Sequence, residues 1–197
     1  MEFITELWLP IILSAVFIFI VSSIMHMALP FHKNDMGKMD GEDGVLESMR
    51  ANGVKPGAYM FPCPANMKDC GSPEMVEKRK QGPVGFLTVV SADSFNMGKS
   101  LMQWFIFILI ACFVIAYASW HSLGGPAEYI TVFRITGAIG VLAFALGVMN
   151  DSIWRGQAWS VTFKFMIDGV VYALVAAGTF GWLWPSLADN LPVIPGG

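Results

Sequence analysis

Hydrophobic residues are concentrated in four long runs, separated by one long polar segment and two short ones. Each run approaches the roughly 20 apolar residues that a helix needs to cross a hydrocarbon core of ~30 Å. A span in lipid must satisfy its own backbone hydrogen bonds, so each run is predicted to be an α-helix. The predicted spans are Leu7 to Leu29, Leu101 to Trp120, Ile130 to Met149 and Val161 to Trp184.

The composition supports a membrane protein. Of the 197 residues, 55% are hydrophobic and only 14% are charged, which is outside the usual range of water-soluble domains. The predicted fold is therefore an all-α integral membrane protein, a bundle of four transmembrane helices. No small-residue cleavage site follows the first run, so we expect a retained helix rather than a signal peptide. A net charge of -3 offers no basic surface to nucleic acid, and the expected environment is the lipid bilayer.

The long polar segment is patterned like a small folded unit. Residues 1–30 hold the first span and its short tail, residues 31–99 the polar segment, residues 100–185 the other spans, and residues 186–197 a C-terminal tail. Helix-start signals near Asp43 and at Ser72-Pro73-Glu74 each precede an extended stretch, Tyr59 to Phe61 and Gly85 to Val90. We predict a small α/β juxtamembrane cap. At about 70 residues its own core would be marginal, so it should lean on the membrane or a partner.

Positive charges beside the spans indicate an orientation. They occur in the polar segment and between spans three and four: Lys33, Lys38, Lys80, Lys99, Arg155 and Lys164. The positive-inside rule then predicts a cytoplasmic cap and both termini outside. In the cytoplasm Cys63 and Cys70 should be thiols, whereas an oxidising compartment would allow a disulfide. All seven tryptophans fall near predicted helix ends, as in an interfacial belt.

Two stripes of small residues predict how the later spans pack. Span three carries Thr136, Gly140, Ala143 and Gly147, and span four carries Gly169, Ala173, Ala177 and Gly181. Such ladders let helix backbones approach closely in lipid. We expect spans three and four to pack ladder to ladder. The alternative is that one ladder faces another subunit. The short connection between spans two and three predicts an antiparallel hairpin.

One acidic residue, Asp168, lies inside the fourth run. An acid at that depth costs on the order of 2.5 to 3.5 kcal/mol on insertion scales, so it should face the bundle interior and have a partner. His26, Lys164 and Arg155 lie at compatible depths. Arg134 enters from the opposite side and should snorkel outward. Asp168 either pins span four to span one through His26, or holds Lys164, or relays a proton or binds a cation with His26.

Metal, cofactor and catalytic signatures are weak. Met25, His26, Met27 and His32, with Asp35, Met36 and Met39 nearby, form a soft-ligand group suited to copper, but their spacing matches no firm metal motif. A haem held by two histidines is not predicted, because His121 belongs to the outer side. No phosphate loop, His-Glu-x-x-His motif or nucleophile elbow occurs in the sequence. We therefore predict no cofactor, no metal and no enzymatic activity.

Five segments together resemble a known family. They are Ser22 to Pro30, Gly57 to Pro62, Met97 to Phe105, Asn150 to Trp154, and Ile167 to Pro185. The chain resembles a family of small, uncharacterised bacterial four-span inner-membrane proteins with no assigned activity, and the likeness covers most of its length. The resemblance implies a location in the bacterial inner membrane. It implies no substrate and no functional residue.

Two functions fit these features. The first is a non-catalytic accessory or scaffold subunit, whose cytoplasmic cap contacts other membrane subunits or a second copy of the chain. The second is a small proton- or ion-coupled transporter that uses Asp168 and His26, and it predicts a polar cavity reaching Asp168. A copper-handling protein is a third, weaker alternative.

Overall fold

The fold is an all-α membrane bundle with a small two-stranded sheet in its longest connection. The structure is a computed structural model that describes residues 2–185, so the predicted tail at 186–197 lies outside the described residues. Within the described part, four helices are long and apolar enough to cross a membrane: Phe3–Ala28, Met97–Leu123, Tyr129–Arg155 and Trp159–Leu183. We name them the first to fourth spans. The predicted four-helix membrane fold is confirmed.

The chain divides into two compact units. The membrane unit comprises Met1–Asp35, Met97–Ser152 and Gln157–Gly197, and the loop unit comprises Met36–Asn96 with Ile153–Gly156. In the membrane unit the first span packs on the second and the fourth, and the third packs mainly on the fourth. Fully buried apolar side chains hold these contacts, among them Leu7, Ile18, Ile108, Ile115 and Phe180.

Glycines allow the third and fourth spans to approach closely. A Cβ added at Gly140 would lie 2.9 Å from the Cβ of Ala173, and one at Gly169 would lie 2.4 Å from the carbonyl oxygen of Phe144. Gly137, which is outside the predicted ladder, lies against Ala177. These distances leave no room for side chains, so the two backbones are in contact.

The other end of the predicted ladder on the third span does not take part in this packing. Ala143 is exposed, and a Cβ added at Gly147 would meet nothing within 4 Å. The buried residues there are Phe144 and Ala145, in a π-helical turn at Leu142–Leu146. Because a π-helical turn takes in one residue more than an α-helical turn, it moves the packed face away from the predicted stripe.

A second π-helical turn ends the first span. It covers Ile24–Ala28 and is closed by the amide of Leu29 donating to the carbonyl oxygen of Ile24 at 3.2 Å. Just before it, the hydroxyls of Ser22 and Ser23 both donate to the carbonyl of Phe19. Hydroxyls bound to a preceding turn in this way often bend helices. The turn of helix after it, Pro30–His32, is of the tighter 3₁₀ type.

The loop unit contains the predicted α/β elements. Its helices are Glu42–Ala51 and Pro73–Gln81, and its strands Gly57–Phe61 and Gly85–Val89 pair antiparallel, with Gly57 opposite Val89. Short 3₁₀ turns cover Met67–Gly71 and Ala92–Ser94. The Ser72 hydroxyl accepts a hydrogen bond from the amide of Met75 at 3.2 Å, which is the helix start that the sequence predicts.

Burial in the loop unit is slight. Among residues 36–96, all of which the structure describes, Met75 is the one buried side chain. Cys63 is exposed, Cys70 is half-buried, and both are free thiols. Cys112 lies in the core of the membrane unit, where it acts as a small packing residue.

Candidate functional site

The site is organised around Asp168, whose side chain is only 1% exposed although it lies inside the fourth span. One carboxylate oxygen, Oδ2, is 2.8 Å from Nε2 of His32 and 3.7 Å from Nε2 of His26. We call these three residues the Asp168 cluster. Desolvating a carboxylate inside a membrane span is costly, so its closest neighbours are groups that can carry positive charge.

The end of the first span brings the two histidines together. His26 lies in the π-helical turn, Leu29 adopts an extended conformation, and the Pro30–His32 turn then places His32 beside His26. Their imidazole rings stack with centroids 4.3 Å apart and an interplanar angle of 12°. Phe165, three residues before Asp168 on the fourth span, contacts both rings. The local bend thus directs two imidazoles toward one carboxylate.

A second charged pair supports the cluster from the side of the polar segment. Nδ1 of His32 lies 2.6 Å from Asp35, and the other oxygen of Asp35 accepts a short hydrogen bond from the Lys164 ammonium. That bond from Lys164 lowers the pKa of Asp35 below its ordinary value, and His32 lowers it further against an opposing effect of desolvation. Asp35 is therefore an ionised acceptor.

These contacts assign the tautomer of each histidine. Nδ1 of His26 is 3.2 Å from the carbonyl oxygen of Ser22, which can only accept, so this nitrogen donates. Nδ1 of His32 likewise donates to the Asp35 carboxylate. In the neutral imidazoles, both Nε2 atoms then carry lone pairs that face Asp168. Among residues 2–185, neither Nε2 of His32 nor either oxygen of Asp168 has a well-aligned hydrogen-bond partner.

A cavity of about 760 Å³ opens onto the Asp168 cluster. Its walls come from all four spans and are mostly apolar, and they include Met27, Leu101, Phe107, Gly147 and Val148. Its polar groups include the His26 ring, the Asp168 carboxylate and the hydroxyl of Tyr172. Tyr172 is 4% exposed, and its hydroxyl has no hydrogen-bond partner among the described residues. A concave apolar pocket with a few convergent polar groups is typical of a ligand-binding site.

Two predicted interface anchors belong to the bundle interior instead. Trp104 lines the cavity, and its indole nitrogen donates to the Ser22 hydroxyl at 2.9 Å. Trp184 is 6% exposed and donates to the carbonyl of Gly125 at 3.1 Å. Anchoring at the interface therefore does not describe these two residues. Other tryptophans, such as Trp8 and Trp182, remain exposed on the bundle, as an interfacial belt requires.

Some of the residues singled out from the sequence lie in the Asp168 cluster and others do not. His26 and Asp168 lie together as one alternative predicted, whereas Lys164 pairs with Asp35 rather than with Asp168. Arg134 is exposed and lies outside the Asp168 cluster. Of the proposed copper ligands, Met25 packs against the hydrophobic core, Met27 is 81% exposed, and the two histidines face Asp168.

Three participants in the site are not predicted in these roles by the sequence. The sequence pattern presents His32 only as a copper ligand and Asp35 only as its neighbour, and it does not single out Tyr172. Tyr172 follows Asp168 by four residues, so it lies on the same helical face, and this spacing is a usable signal.

Comparison with known proteins found no matching family model, curated protein or solved structure. The fold and the site therefore define the class by themselves. This chain is a multi-pass helical membrane protein. Inside its bundle, the Asp168 carboxylate and the His26 imidazole border an open cavity, and the His32 imidazole lies beside them.

Proposed function

We propose that the protein is a small cation transporter in which Asp168 is the central cation-binding group. The observation that carries the proposal is the cavity that reaches a buried carboxylate at membrane depth. Ionisable residues that line cavities within membrane spans typically mark the paths of ions and protons. The transport hypothesis predicts a polar cavity that reaches Asp168. A cavity reaches Asp168, but its walls are mostly apolar.

The packing of the bundle fits one state of a transport cycle. The cavity lies at the end of the bundle where the first span finishes, and it includes Met27 and Met97. Toward the other end the core is filled by fully buried side chains, including Leu7 and Phe180. Alternating access requires a site open to one side and closed to the other. Transport would then require the outer half of the bundle to separate.

Flux through the purified protein tests the proposal. We expect proteoliposomes containing the protein to take up at least one of Na⁺, Mn²⁺ and Zn²⁺, measured with radioactive tracers, and Asp168→Asn to abolish the uptake. Glu128→Gln removes an exposed carboxylate at the end of the third span and is the matched control, with uptake expected to be unchanged. Uptake of none of these cations by the wild type, or equal uptake by Asp168→Asn, would refute the transport function.

A second function, that of an accessory subunit, is favoured by the surface of the loop unit. Large apolar side chains are exposed there, with relative exposures of 86% for Phe95, 60% for Val84 and 53% for Phe86. Large apolar side chains that are this exposed are candidates for contact with protein or membrane. Purification in mild detergent should then recover a stoichiometric partner subunit, and mass spectrometry identifies it. A monodisperse monomer without a partner would contradict this function.

We also propose that the loop unit is cytoplasmic, that both termini face outward, and that the membrane is the bacterial inner membrane. The distribution of Lys and Arg around the spans supports the orientation. The choice of membrane rests on the resemblance of the five segments to small bacterial inner-membrane proteins. Cys63 is exposed and Cys112 is buried in the core, so they form a matched pair for thiol labelling. In intact cells an impermeant maleimide should label neither cysteine, and in opened cells it should label Cys63 but not Cys112. Labelling of Cys63 in intact cells would invert the orientation.

A further inference from the structure

We infer that His26, His32 and Asp168 bind one divalent transition-metal ion. The inference builds on the proposed function because it names the cation that the site receives. It concerns binding alone, however, and is tested without transport. Its basis is the arrangement of the possible ligand atoms beside the cavity, together with the groups that hold those atoms in place.

The first argument is the orientation of the imidazoles. Both rings are fixed by their Nδ1–H groups, His26 through the Ser22 carbonyl and His32 through the Asp35 carboxylate. Histidines that bind metals usually donate their other ring N–H to a carbonyl or a carboxylate in this way, which fixes the tautomer and makes the ligating nitrogen more basic. Asp35 is in turn held by Lys164. The supporting contacts of a metal site are thus already present.

The second argument is that three acceptors converge on each other. The two Nε2 atoms and the Asp168 carboxylate gather in one place, since their ligating atoms lie within 4.8 Å of one another. Acceptors repel unless a proton or a metal cation lies between them. Both oxygens of Asp168 are buried without a well-aligned hydrogen bond from any described residue. A shared metal ion would satisfy all three groups at once.

The distances suit an ion of the first transition series. A tetrahedral Zn²⁺ has bonds of about 2.0–2.1 Å to nitrogen, which puts neighbouring ligand atoms about 3.3 Å apart. The observed separations from Asp168 Oδ2 to the two Nε2 atoms, 2.8 and 3.7 Å, lie on either side of that value. Shifts of about half an ångström would bring each Nε2 to that distance from Oδ2. The rings, which are stacked at 12°, must also tilt so that both lone pairs meet one ion. The 38% exposure of His26 leaves a path for the ion from the cavity.

The ligand types select the class of ion. Two imidazoles and one carboxylate suit Zn²⁺, Fe²⁺, Co²⁺ or Mn²⁺, whereas Ca²⁺ and Mg²⁺ prefer sites made of oxygen alone. Three protein ligands also leave coordination positions open, as in sites that exchange or activate a bound molecule. Met25 packs against the hydrophobic core and Met27 is 81% exposed, which argues against a thioether site for Cu⁺.

Binding of Co²⁺ is the direct test. The protein is purified in detergent with a tag that lacks histidine, stripped with a chelator, and titrated with Co²⁺ while its visible absorption is recorded. We expect one Co²⁺ per chain, visible bands of the intensity typical of four- or five-coordinate cobalt, and displacement by Zn²⁺. His32→Ala and Asp168→Asn should each weaken binding by at least about 100-fold, since each removes a ligand.

Two further variants separate the site from its surroundings. Lys164→Met should weaken Co²⁺ binding about 10-fold, because it releases Asp35 and with it the orientation of His32. His121→Ala removes a histidine that contacts Tyr117 edge to face, away from the cluster, and should leave the affinity unchanged. Size-exclusion profiles that match the wild type show that each variant is folded.

The outcomes are distinguishable. Absence of stoichiometric Co²⁺ binding, or binding that survives both His32→Ala and Asp168→Asn, overturns the metal site. Uptake of Na⁺ by a protein that binds no Co²⁺ would support the transport function and refute the metal site. One-to-one Co²⁺ binding through His32 and Asp168 without any flux keeps the metal site and refutes transport.

Discussion

Substitution of Gly169 by alanine should destabilise the bundle more than the same substitution at Gly140 or Gly181. The new Cβ would lie 2.4 Å from the Phe144 carbonyl oxygen, 2.5 Å from its carbon and 2.6 Å from the Cα of Ala145. All three are backbone atoms, so no side chain can turn away and the third and fourth spans must separate. Overpacking typically destabilises a protein by about 1–3 kcal/mol. Because the backbone here is rigid, we expect Gly169→Ala to cost about 3 kcal/mol.

Helix propensity opposes part of that cost. Alanine is favoured over glycine within helices by about 1 kcal/mol, so the net loss in the free energy of unfolding is about 2 kcal/mol. For a chain of this size, that corresponds to a fall in Tm of about 4–8 °C. Gly178, on the same span, is the matched control because a Cβ added there meets nothing within 4 Å. Gly178→Ala should raise Tm by about 2–4 °C.

The assay is the loss of the monodisperse peak on size-exclusion chromatography after heating the detergent-solubilised protein. The Tm of Gly169→Ala should be lower than that of the wild type, and the Tm of Gly178→Ala should not. A Tm of Gly169→Ala equal to that of Gly178→Ala would refute the close backbone contact between the third and fourth spans.

Three further outcomes follow from other contacts. Gly181→Ala should lower stability by less than about 1 kcal/mol in the same assay, because the added Cβ meets the half-exposed ring of Tyr129, which can turn away. Trp104→Phe should cost about 1 kcal/mol by removing the hydrogen bond to the Ser22 hydroxyl, and Trp182→Phe should be neutral. Ser72→Ala removes a helix cap worth ~1 kcal/mol, so trypsin should cleave faster at the basic last turn of Pro73–Gln81.

The membrane spans could be predicted because they depend on local properties. Run length and apolar content decide whether a helix can cross lipid. All four runs form candidate spans with limits within a few residues of the prediction, apart from the C-terminal end of span three, which extends to Arg155. Capping signals at Ser72 and Pro73 are equally local, and the helix begins there. Elements of this kind can therefore be predicted from the local sequence alone.

The Asp168 cluster was only half predictable. The rise per residue of a helix gives the depth of each residue in the membrane, and it predicts that His26 and Asp168 lie at similar depths. His32 was assigned to the segment leaving the membrane, because Pro30 ends the helix. The turn Pro30–His32 places His32 beside His26. This position depends on tertiary packing and cannot be predicted from the spacing of hydrophobic residues. The pairing of Lys164 with Asp35 depends on that same turn.

The packed face of the third span shows a different limit. The stripe Thr136 and Gly140 continues correctly only as far as the π-helical turn. Beyond it, a regular helical period assigns Ala143 and Gly147 to the wrong face. Nothing in the composition of Leu142–Leu146 distinguishes this turn from an ordinary helix.

The two π-helical turns have a consequence for how such a bundle changes over generations. Each one takes in a single residue beyond the regular period, and each borders the cavity. Loss of one codon within Leu142–Leu146 would restore the ordinary winding and leave Gly147 and Val148 in their present orientation, because the extra residue is the one removed. The third span can therefore lose a residue at this turn without redirecting the pocket wall beyond it.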